Sequence, residues 1–224
     1  MLIVHHLQRS QSERIVWLCE ELQIPYELKN YARRKDNLFA PPEYKSLHAT
    51  GTAPIIQDGS VTLAESAAIA EYILTKYGKG KLVIGPDQPN YAEYLYWFHA
   101  SNGSFQPSMG LGLIVESSGI PADHLTAQYV KRSREKLLKM LDNRLKENAW
   151  LAGDEFTAAD VMVVFTLSTM RLFTPYELTG YDGILAYLKR IGDRPGYKSA
   201  MEKGDPGFVP IFGAEVPEPL KRQT

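Results

Sequence analysis

The sequence has 224 residues, of which 44% are hydrophobic and 23% charged, and its formal net charge is −1. This length allows one large or two small domains with a buried core, and the charge excludes the strong basic field that holds nucleic acid or an anionic membrane. Cys19 is the only cysteine, which excludes an intrachain disulfide and a paired-cysteine zinc or redox site. Without a membrane-length apolar run or a signal-peptide pattern, a reducing, cytoplasmic location is expected.

The first thirty residues predict a strand, a helix and a second strand. The run LIVHHL, residues 2–7, is typical of a buried strand, and apolar side chains then recur at helical spacing from Ile15 to Leu22. The helix is expected to end before Pro25, because proline cannot continue it. The alternating run YELKNY, residues 26–31, predicts the second strand, and such a crossover implies a parallel pair.

A hairpin and a helix are predicted after a segment that resists assignment. Residues 32–52 are mixed and predict a loop with a short helix. Asp58-Gly59 lies between two apolar runs, which predicts a hairpin with strands at residues 54–57 and 60–64. A helix should then begin after Glu65-Ser66 and end near Gly78.

Glycine and proline cluster at residues 78–89, which predicts a linker. The pattern beyond it is helical, with predicted helices at residues 91–98, 125–145, 157–172, 185–191 and 197–201. The expected architecture is therefore an α/β domain at residues 1–82, a linker at 83–90 and an all-α domain at 91–224.

The dipeptide Ala53-Pro54 has two interpretations. Pro54 begins a predicted strand, where its missing N–H does least harm, and a trans bond there is ordinary. A cis bond would instead turn the chain sharply and leave the N–H and C=O of Ala53 free to pair with an extended peptide ligand. The residues alone leave both interpretations open.

Glu65-Ser66 lies between a strand and a helix and is also open to two interpretations. Ser66 is a good helix cap. The same helix N-terminus is an anion site, where a carboxylate docks on Ser66 while Glu65 takes an ammonium group. Together the two residues would hold the head of an α-amino acid.

Ser10-Gln11-Ser12-Glu13 matches the capping box S-x-x-E, in which Ser10 caps the helix and Glu13 reaches back to the Ser10 N–H. The position is also where a strand opens into a helix N-terminus. A thiol placed there would meet the helix dipole and a hydroxyl donor, and both favour the thiolate.

Other candidates point to structure. Cys19 lies on the apolar stripe and is expected to be buried and inert, and Thr157 to Asp160 form a second capping box. His5 and His6 are neighbours in a strand, so they face opposite sides and cannot chelate a metal together. No Ser-His-Asp order, GxGxxG, Walker loop or HExxH stands out, and no metal is expected.

Six motifs taken together resemble the cytosolic glutathione transferases, most closely the fungal and bacterial group with an SxSxRxxWLxEEL opening. They occur in the family's order along nearly the whole chain: SQSERIVWLCEEL, IPYE, GTAPIIQDG, LAESAAIAEYI, FTAADVMV and YLKRIGDRPGY. The resemblance implies a thioredoxin-like N-terminal domain, an all-helical C-terminal domain and a homodimer.

The resemblance also implies roles for the candidate residues. Pro54 would be the cis proline, and Ala53 would pair with the cysteinyl backbone of glutathione. Glu65 and Ser66 would hold the γ-glutamyl end. Ser10 would donate to the glutathione sulfur, as in the serine-type classes, since neither a tyrosine nor a cysteine stands where the other classes have one.

Two departures from the family's pattern leave alternatives open. Ser12 is close enough to Ser10 that a shifted helix start would exchange their roles. Many relatives have lysine or glutamine at the place of Thr52, so the glycyl carboxylate could be bound instead by Lys45, by His48 or by Arg33-Arg34-Lys35.

The activity implied is conjugation of glutathione, as co-substrate, to small electrophilic and partly apolar compounds, with glutathione-dependent peroxide reduction as a side activity. The acceptor would lie between the domains, against Tyr94, Phe98, Asn102 and Phe105. Asp160 would match the family's structural aspartate. The rival hypothesis is a non-catalytic module of the same fold, used for binding or regulation, and a thiol reductase acting through Cys19 is a third.

Overall fold

The computed structural model describes residues 1–221. The first third of the chain forms a four-stranded sheet and three helices. These elements are β1 (Leu2–Leu7), α1 (Glu13–Leu22), β2 (Glu27–Tyr31), α2 (Pro42–Lys45), β3 (Ile55–Asp58), β4 (Val61–Ala64) and α3 (Ser66–Tyr77). The predicted strand–helix–strand unit, short helix, hairpin and following helix are therefore all present.

The sheet has the strand order β2-β1-β3-β4. β1 pairs parallel with β2, as the crossover implies, and antiparallel with β3, which pairs antiparallel with β4. Asp58 pairs with Val61, so the hairpin turn is Gly59-Ser60, one residue later than predicted, and Gly59 has the positive φ of +62° that favours glycine. The ends of β1, β2 and β4 and the start of β3 consequently meet at one edge of the sheet.

The last helix of the chain packs against the first one. Helix α9 (Pro195–Gly204) belongs to the same compact unit as the sheet, a unit that comprises Met1–Val83, Ile191–Pro210 and residues 220 and 221. Arg194 pairs with Glu21 at 2.7 Å, and Lys203 pairs with Glu20 at 2.6 Å. This return of the chain lies outside the linear division into domains expected from the sequence.

The second compact unit comprises Ile84–Arg190 and Ile211–Pro219. Its elements are α4 (Tyr91–Ala100), a π-helical segment (Ser101–Phe105), α5 (Gln106–Ser117), α6 (Leu125–Glu147), α7 (Ala158–Leu167), a 3-10 turn (Thr169–Leu172) and most of α8 (Asp182–Asp193). Helix α5 was not predicted, because Pro107, Gly110 and Gly112 lower its helix propensity. No helix within residues 1–221 combines the length and apolar character needed to cross a membrane.

Helix α7 is buried on every side and begins at the predicted capping box. The Asp160 carboxylate accepts hydrogen bonds from the Thr157 N–H at 2.9 Å and from the Leu151 N–H at 3.0 Å. The helix ends at Leu167 rather than continuing to residue 172, since Ser168 leaves helical geometry with φ −120° and ψ −100°. Asp160 thus anchors the core of the second unit.

Candidate active site

The candidate residues of the first unit meet at one edge of its sheet. Ser10 follows β1, Ala53-Pro54 precedes β3, and Glu65-Ser66 follows β4. The Ala53–Pro54 bond is cis, as the resemblance implies, and not the trans bond of an ordinary strand start. Segments far apart in sequence therefore form one site.

A hydrogen-bonded bridge, partly buried at Gln11 and buried at Arg14 and Ser66, ties these segments together. Gln11 Nε2 donates to the Ala53 carbonyl at 2.9 Å, and Gln11 Oε1 accepts from Arg14 Nη1 at 2.9 Å. Arg14 Nη1 also donates to Ser66 Oγ at 3.2 Å. Neither Gln11 nor Arg14 was identified from the sequence. The available signal was a charged residue within the apolar stripe of α1, a position where charges are rarely buried.

Arg14 places a positive charge behind the N-terminus of α3. Its side chain is 1% exposed. Burial lowers the pKa of Arg14 to about 9, against the opposing attraction of Glu13, so the guanidinium stays protonated at neutral pH. Ser66 is 1% exposed, and its Oγ accepts the hydrogen bond from Arg14. A guanidinium, a hydroxyl and a helix N-terminus together favour a carboxylate.

Glu65 is exposed at the N-terminus of α3. It is the N-cap residue of α3 and has φ +72° and ψ 115°, which is uncommon for a residue with a side chain. Such backbone geometry costs free energy and tends to occur at ligand sites. Its carboxylate is available for an ammonium group.

The helix α1 begins later than the capping-box hypothesis expects. Its first residue is Glu13, its N-cap is Ser12, and no side-chain cap bond forms there. Ser10 Oγ instead accepts the Ser12 N–H at 3.2 Å and lies 2.7 Å from Ser12 Oγ. The prediction that Ser10 and Glu13 form a capping box is wrong, because Ser10 turns its oxygen to Ser12.

The two serines differ in their surroundings. Ser12 is fully buried, and its Oγ accepts the Leu7 N–H at 3.1 Å and lies 2.9 Å from His6 Nδ1. Ser10 is 5% exposed. Its neighbour Arg9 has a positive φ of 53°, and the Arg9 N–H donates to both oxygens of Asp205. The loop that carries Ser10 is thus fixed from several sides.

The residues proposed to bind the glycyl carboxylate make different contacts in the structure. Thr52 is exposed, and the Lys45 stem packs against the preceding residue, since a Cβ on Gly51 would lie 3.6 Å from Lys45 Cβ. His48 Nδ1 accepts the Thr50 N–H at 3.2 Å. Arg33 donates to the carbonyls of Gln8, Arg9 and Leu38. Lys45 Nζ lies over the Phe39 ring, 5.6 Å from its centroid, whereas Arg33 holds the backbone.

The aromatic residues expected to contact the acceptor lie in the second unit. Tyr94, Phe98 and Phe105 are buried, and Asn102 is partly exposed. Asn102 and Phe105 fall in the π-helical segment, a feature common near functional sites and not detected from the sequence. Their contact with an acceptor stays a prediction.

Cys19 and possible metal ligands were the remaining candidates for chemistry. Cys19 is fully buried, and burial raises the pKa of its thiol well above the usual range, which removes the basis for a Cys19 reductase. Within the part of the chain that the structure describes, no cluster of three or more His, Cys, Asp or Glu side chains is arranged to hold a metal ion.

Two family models match the chain. Residues 9–76 match "Glutathione S-transferase, N-terminal domain" and residues 111–195 match "Glutathione S-transferase, C-terminal domain". The chain is 34% identical to glutathione S-transferase 3 of Schizosaccharomyces pombe, across 95% of this chain and 91% of the relative. It is 28% identical to glutathione S-transferase 1 of Saccharomyces cerevisiae, across 89% and 94%.

Solved structures agree with these relatives. A glutathione S-transferase from Actinobacillus pleuropneumoniae superposes with a TM-score of 0.83 at 33% identity, covering 92% of this chain and 93% of that one. The glutathione transferase URE2P8 from Phanerochaete chrysosporium, solved with oxidised glutathione, shares the fold with a TM-score of 0.71 at 20% identity, across 90% and 94%. The expected fold class, a thioredoxin-like domain followed by a helical domain, is confirmed. The chain belongs to the glutathione S-transferase family.

Proposed function

We propose that this glutathione transferase is of the serine type, binding glutathione as a thiolate with Ser10 and adding it to small electrophilic, partly apolar compounds. The observation that carries the proposal is the shared sheet edge, where the Gln11–Arg14 bridge links the Ser10 loop, the cis-proline loop and Ser66. A thiol held there is close to a hydroxyl and to a helix N-terminus, both of which favour the charged sulfur.

The peptide lies across the same edge in this proposal. Glu65 and Ser66 hold the γ-glutamyl head, and the backbone of Ala53 beside Pro54 pairs with the cysteinyl residue. The Ala53 carbonyl accepts from Gln11 and has a second lone pair for the peptide N–H. Rigid placement of the thiol supplies the proximity contribution to catalysis. URE2P8, a relative in fold, is solved with oxidised glutathione.

Replacing Arg14 by methionine is expected to raise KM for glutathione by about 10-fold or more, since a charge-assisted hydrogen bond contributes roughly 1.5–3 kcal/mol. The γ-glutamyl carboxylate loses its nearby positive charge, while Ser10 is untouched, so kcat at saturating glutathione should change less. Methionine has a similar length and needs no buried partner, which limits the loss of stability. Steady-state kinetics with varied glutathione measure both constants.

Arg132→Met on the exposed face of α6 is the matched control, since it removes the same side chain outside the site. It should leave KM at the wild-type value. An unchanged KM in Arg14→Met would remove Arg14 from glutathione binding.

Lys45 is proposed as the cation for the glycyl carboxylate, with Thr52 contributing a hydroxyl. Lys45→Ala should raise KM for glutathione by about 2- to 5-fold, the effect of an exposed ion pair of up to about 1 kcal/mol. The same variant should leave KM for γ-glutamylcysteine, which lacks the glycyl residue, unchanged. Equal effects on the two thiols would contradict the assignment.

The acceptor and the assembly complete the proposal. Tyr94, Phe98, Asn102 and Phe105 contribute to the acceptor site, peroxide reduction by the same thiolate is a side activity, and the enzyme is a cytoplasmic homodimer. Conjugation of glutathione to a generic aromatic electrophile tests the activity. Tight glutathione binding without any turnover on several electrophiles and peroxides would favour the non-catalytic module instead.

A further inference from the structure

A continuous chain of hydrogen-bonded side chains runs inward from Ser10. Ser10 Oγ lies 2.7 Å from Ser12 Oγ, Ser12 Oγ lies 2.9 Å from His6 Nδ1, and His6 Nε2 lies 3.1 Å from Asp205 Oδ2. The exposed fractions of Ser10, Ser12, His6 and Asp205 are 5%, 0%, 0% and 4%. A carboxylate, an imidazole and two hydroxyls therefore form a hydrogen-bonded chain that is shielded from water and ends at the proposed thiol site.

The donors and acceptors of this hydrogen-bonded chain can be assigned in order. Asp205 is an acceptor, since both of its oxygens also receive the Arg9 N–H, so His6 donates through Nε2. Nδ1 of a neutral His6 is then an acceptor and takes the Ser12 hydroxyl proton, since the 2.9 Å contact to Nδ1 is shorter than the 3.3 Å contact from Ser12 Oγ to the Leu7 carbonyl. Ser12 has no further proton to give, so Ser10 must donate to Ser12. With His6 neutral, the Ser10 proton points inward, one lone pair of Ser10 Oγ accepts the Ser12 N–H, and the second lone pair is left for the thiol.

This polarity is opposite to the one that a bound thiolate needs. A thiolate is an acceptor and must receive the Ser10 proton, whereas an incoming thiol is a donor and suits the second lone pair of Ser10 Oγ. If each proton along the hydrogen-bonded chain moves one step inward, the arrangement with neutral His6 becomes the one that a bound thiolate needs.

We propose that His6 is the base that accepts the thiol proton of glutathione, relayed through Ser10 and Ser12 and supported by Asp205. The S–H bond breaks as its proton moves to Ser10 Oγ, the Ser10 proton moves to Ser12 Oγ, and the Ser12 proton moves to His6 Nδ1. The products are a thiolate that accepts a hydrogen bond from Ser10 and an imidazolium paired with Asp205. This inference rests on the proposed serine-type function.

The groups around His6 bear on its ability to hold this proton. Asp205 faces it from the C-terminal end of α9, whose dipole also favours a cation there. Gly204 closes over the ring, since a Cβ at this position would lie 3.1 Å from His6 Nε2. The opposing charges near Asp205 are Arg9 and Arg33, and Arg33 also feels the attraction of that carboxylate. The imidazolium thus forms beside its counter-ion Asp205, whose attraction opposes the cost of burying the charge.

The test measures both the thiolate formed and the protons released to solvent. Wild-type protein is mixed with glutathione at neutral pH in weak buffer, while the ultraviolet absorbance of the thiolate and a pH-indicator dye are followed together. The relay predicts thiolate with far less than one proton released for each thiolate formed, because His6 retains the proton. Release of one proton for each thiolate overturns the relay and leaves the proposed function intact. Absence of thiolate, or of binding, means that the proposed function itself fails.

Variants separate a relay from a purely structural histidine. His6→Asn retains an acceptor for Ser12 but cannot take the proton, so it should raise the pKa of bound glutathione by about one unit or more. Asp205→Asn should act in the same direction. His5→Asn, the same change on the opposite face of β1, is the control and should leave that pKa at the wild-type value. A lowered Tm in His6→Asn with an unchanged pKa of the bound thiol overturns the proposal.

Discussion

Ser10→Ala is expected to lower kcat for glutathione conjugation by about 10- to 100-fold, the equivalent of a lost hydrogen bond to a charged group at roughly 1.5–3 kcal/mol. In the proposed mechanism the Ser10 hydroxyl stabilises the thiolate, so its removal should raise the pKa of the bound thiol and lower the fraction ready to attack. KM for glutathione should change little, since the residues proposed to hold the peptide, Arg14, Glu65 and Ser66, are unchanged. Steady-state kinetics across a range of pH values measure the effect.

Two further variants make this result specific. Ser60→Ala removes an exposed hydroxyl in the β3–β4 turn and should behave as wild type. Ser10→Thr retains a hydroxyl and should recover part of the rate. Full activity in Ser10→Ala would show that the sulfur is stabilised by another group, with Ser12 as the first candidate.

Asp160→Ala is expected to destabilise the protein by at least about 3 kcal/mol, since a buried donor left without an acceptor costs roughly 1–3 kcal/mol. The carboxylate receives the Leu151 N–H, the Thr157 N–H and the Tyr187 hydroxyl, all buried. The corresponding fall in Tm is about 6–12 °C for a chain of this size. Thermal and urea unfolding measure it, and a loss below about 1 kcal/mol would contradict the anchoring role of Asp160.

The stabilising contribution of Asp160 also depends on pH. Burial raises its pKa to about 6, outweighing the hydrogen bonds from Leu151, Thr157 and Tyr187 that favour the charged form. The unfolded value is about 3.9, so between these values the folded state binds more protons and this group's contribution falls as pH rises. The stability difference between wild type and Asp160→Asn should therefore shrink from about pH 4 to about pH 6. A difference that grows over this range would contradict the sign.

Local sequence signals predicted the elements whose determinants are close together in the chain. The apolar spacing from Ile15 to Leu22, the turn at Gly59 and the Thr157–Asp160 capping box each act over a few residues. The same kind of signal failed at Ser10, because the Ser10 side chain hydrogen-bonds to Ser12 and the helix begins at Glu13. A competing local hydrogen bond between residues two positions apart replaced the capping box there.

The residues that surround the site could not be predicted, because their partners are distant in sequence. Gln11 contacts a residue 42 positions away, Arg14 one 52 positions away, and His6 one 199 positions away. A single sequence does not reveal such pairs. A search for Ser-His-Asp order also missed the hydrogen-bonded chain from Ser10 to Asp205. This chain contains two serines in series, and its aspartate lies on the returning C-terminal segment.

The central claim is that this chain binds glutathione and holds it as a thiolate, and one titration tests it most directly. Wild-type protein saturated with glutathione is titrated with base while the ultraviolet absorbance of the thiolate is recorded. The bound thiol is expected to ionise about one to two pH units below the value near 8.5 that is typical of a free thiol. A titration curve that superposes on that of free glutathione would contradict the account.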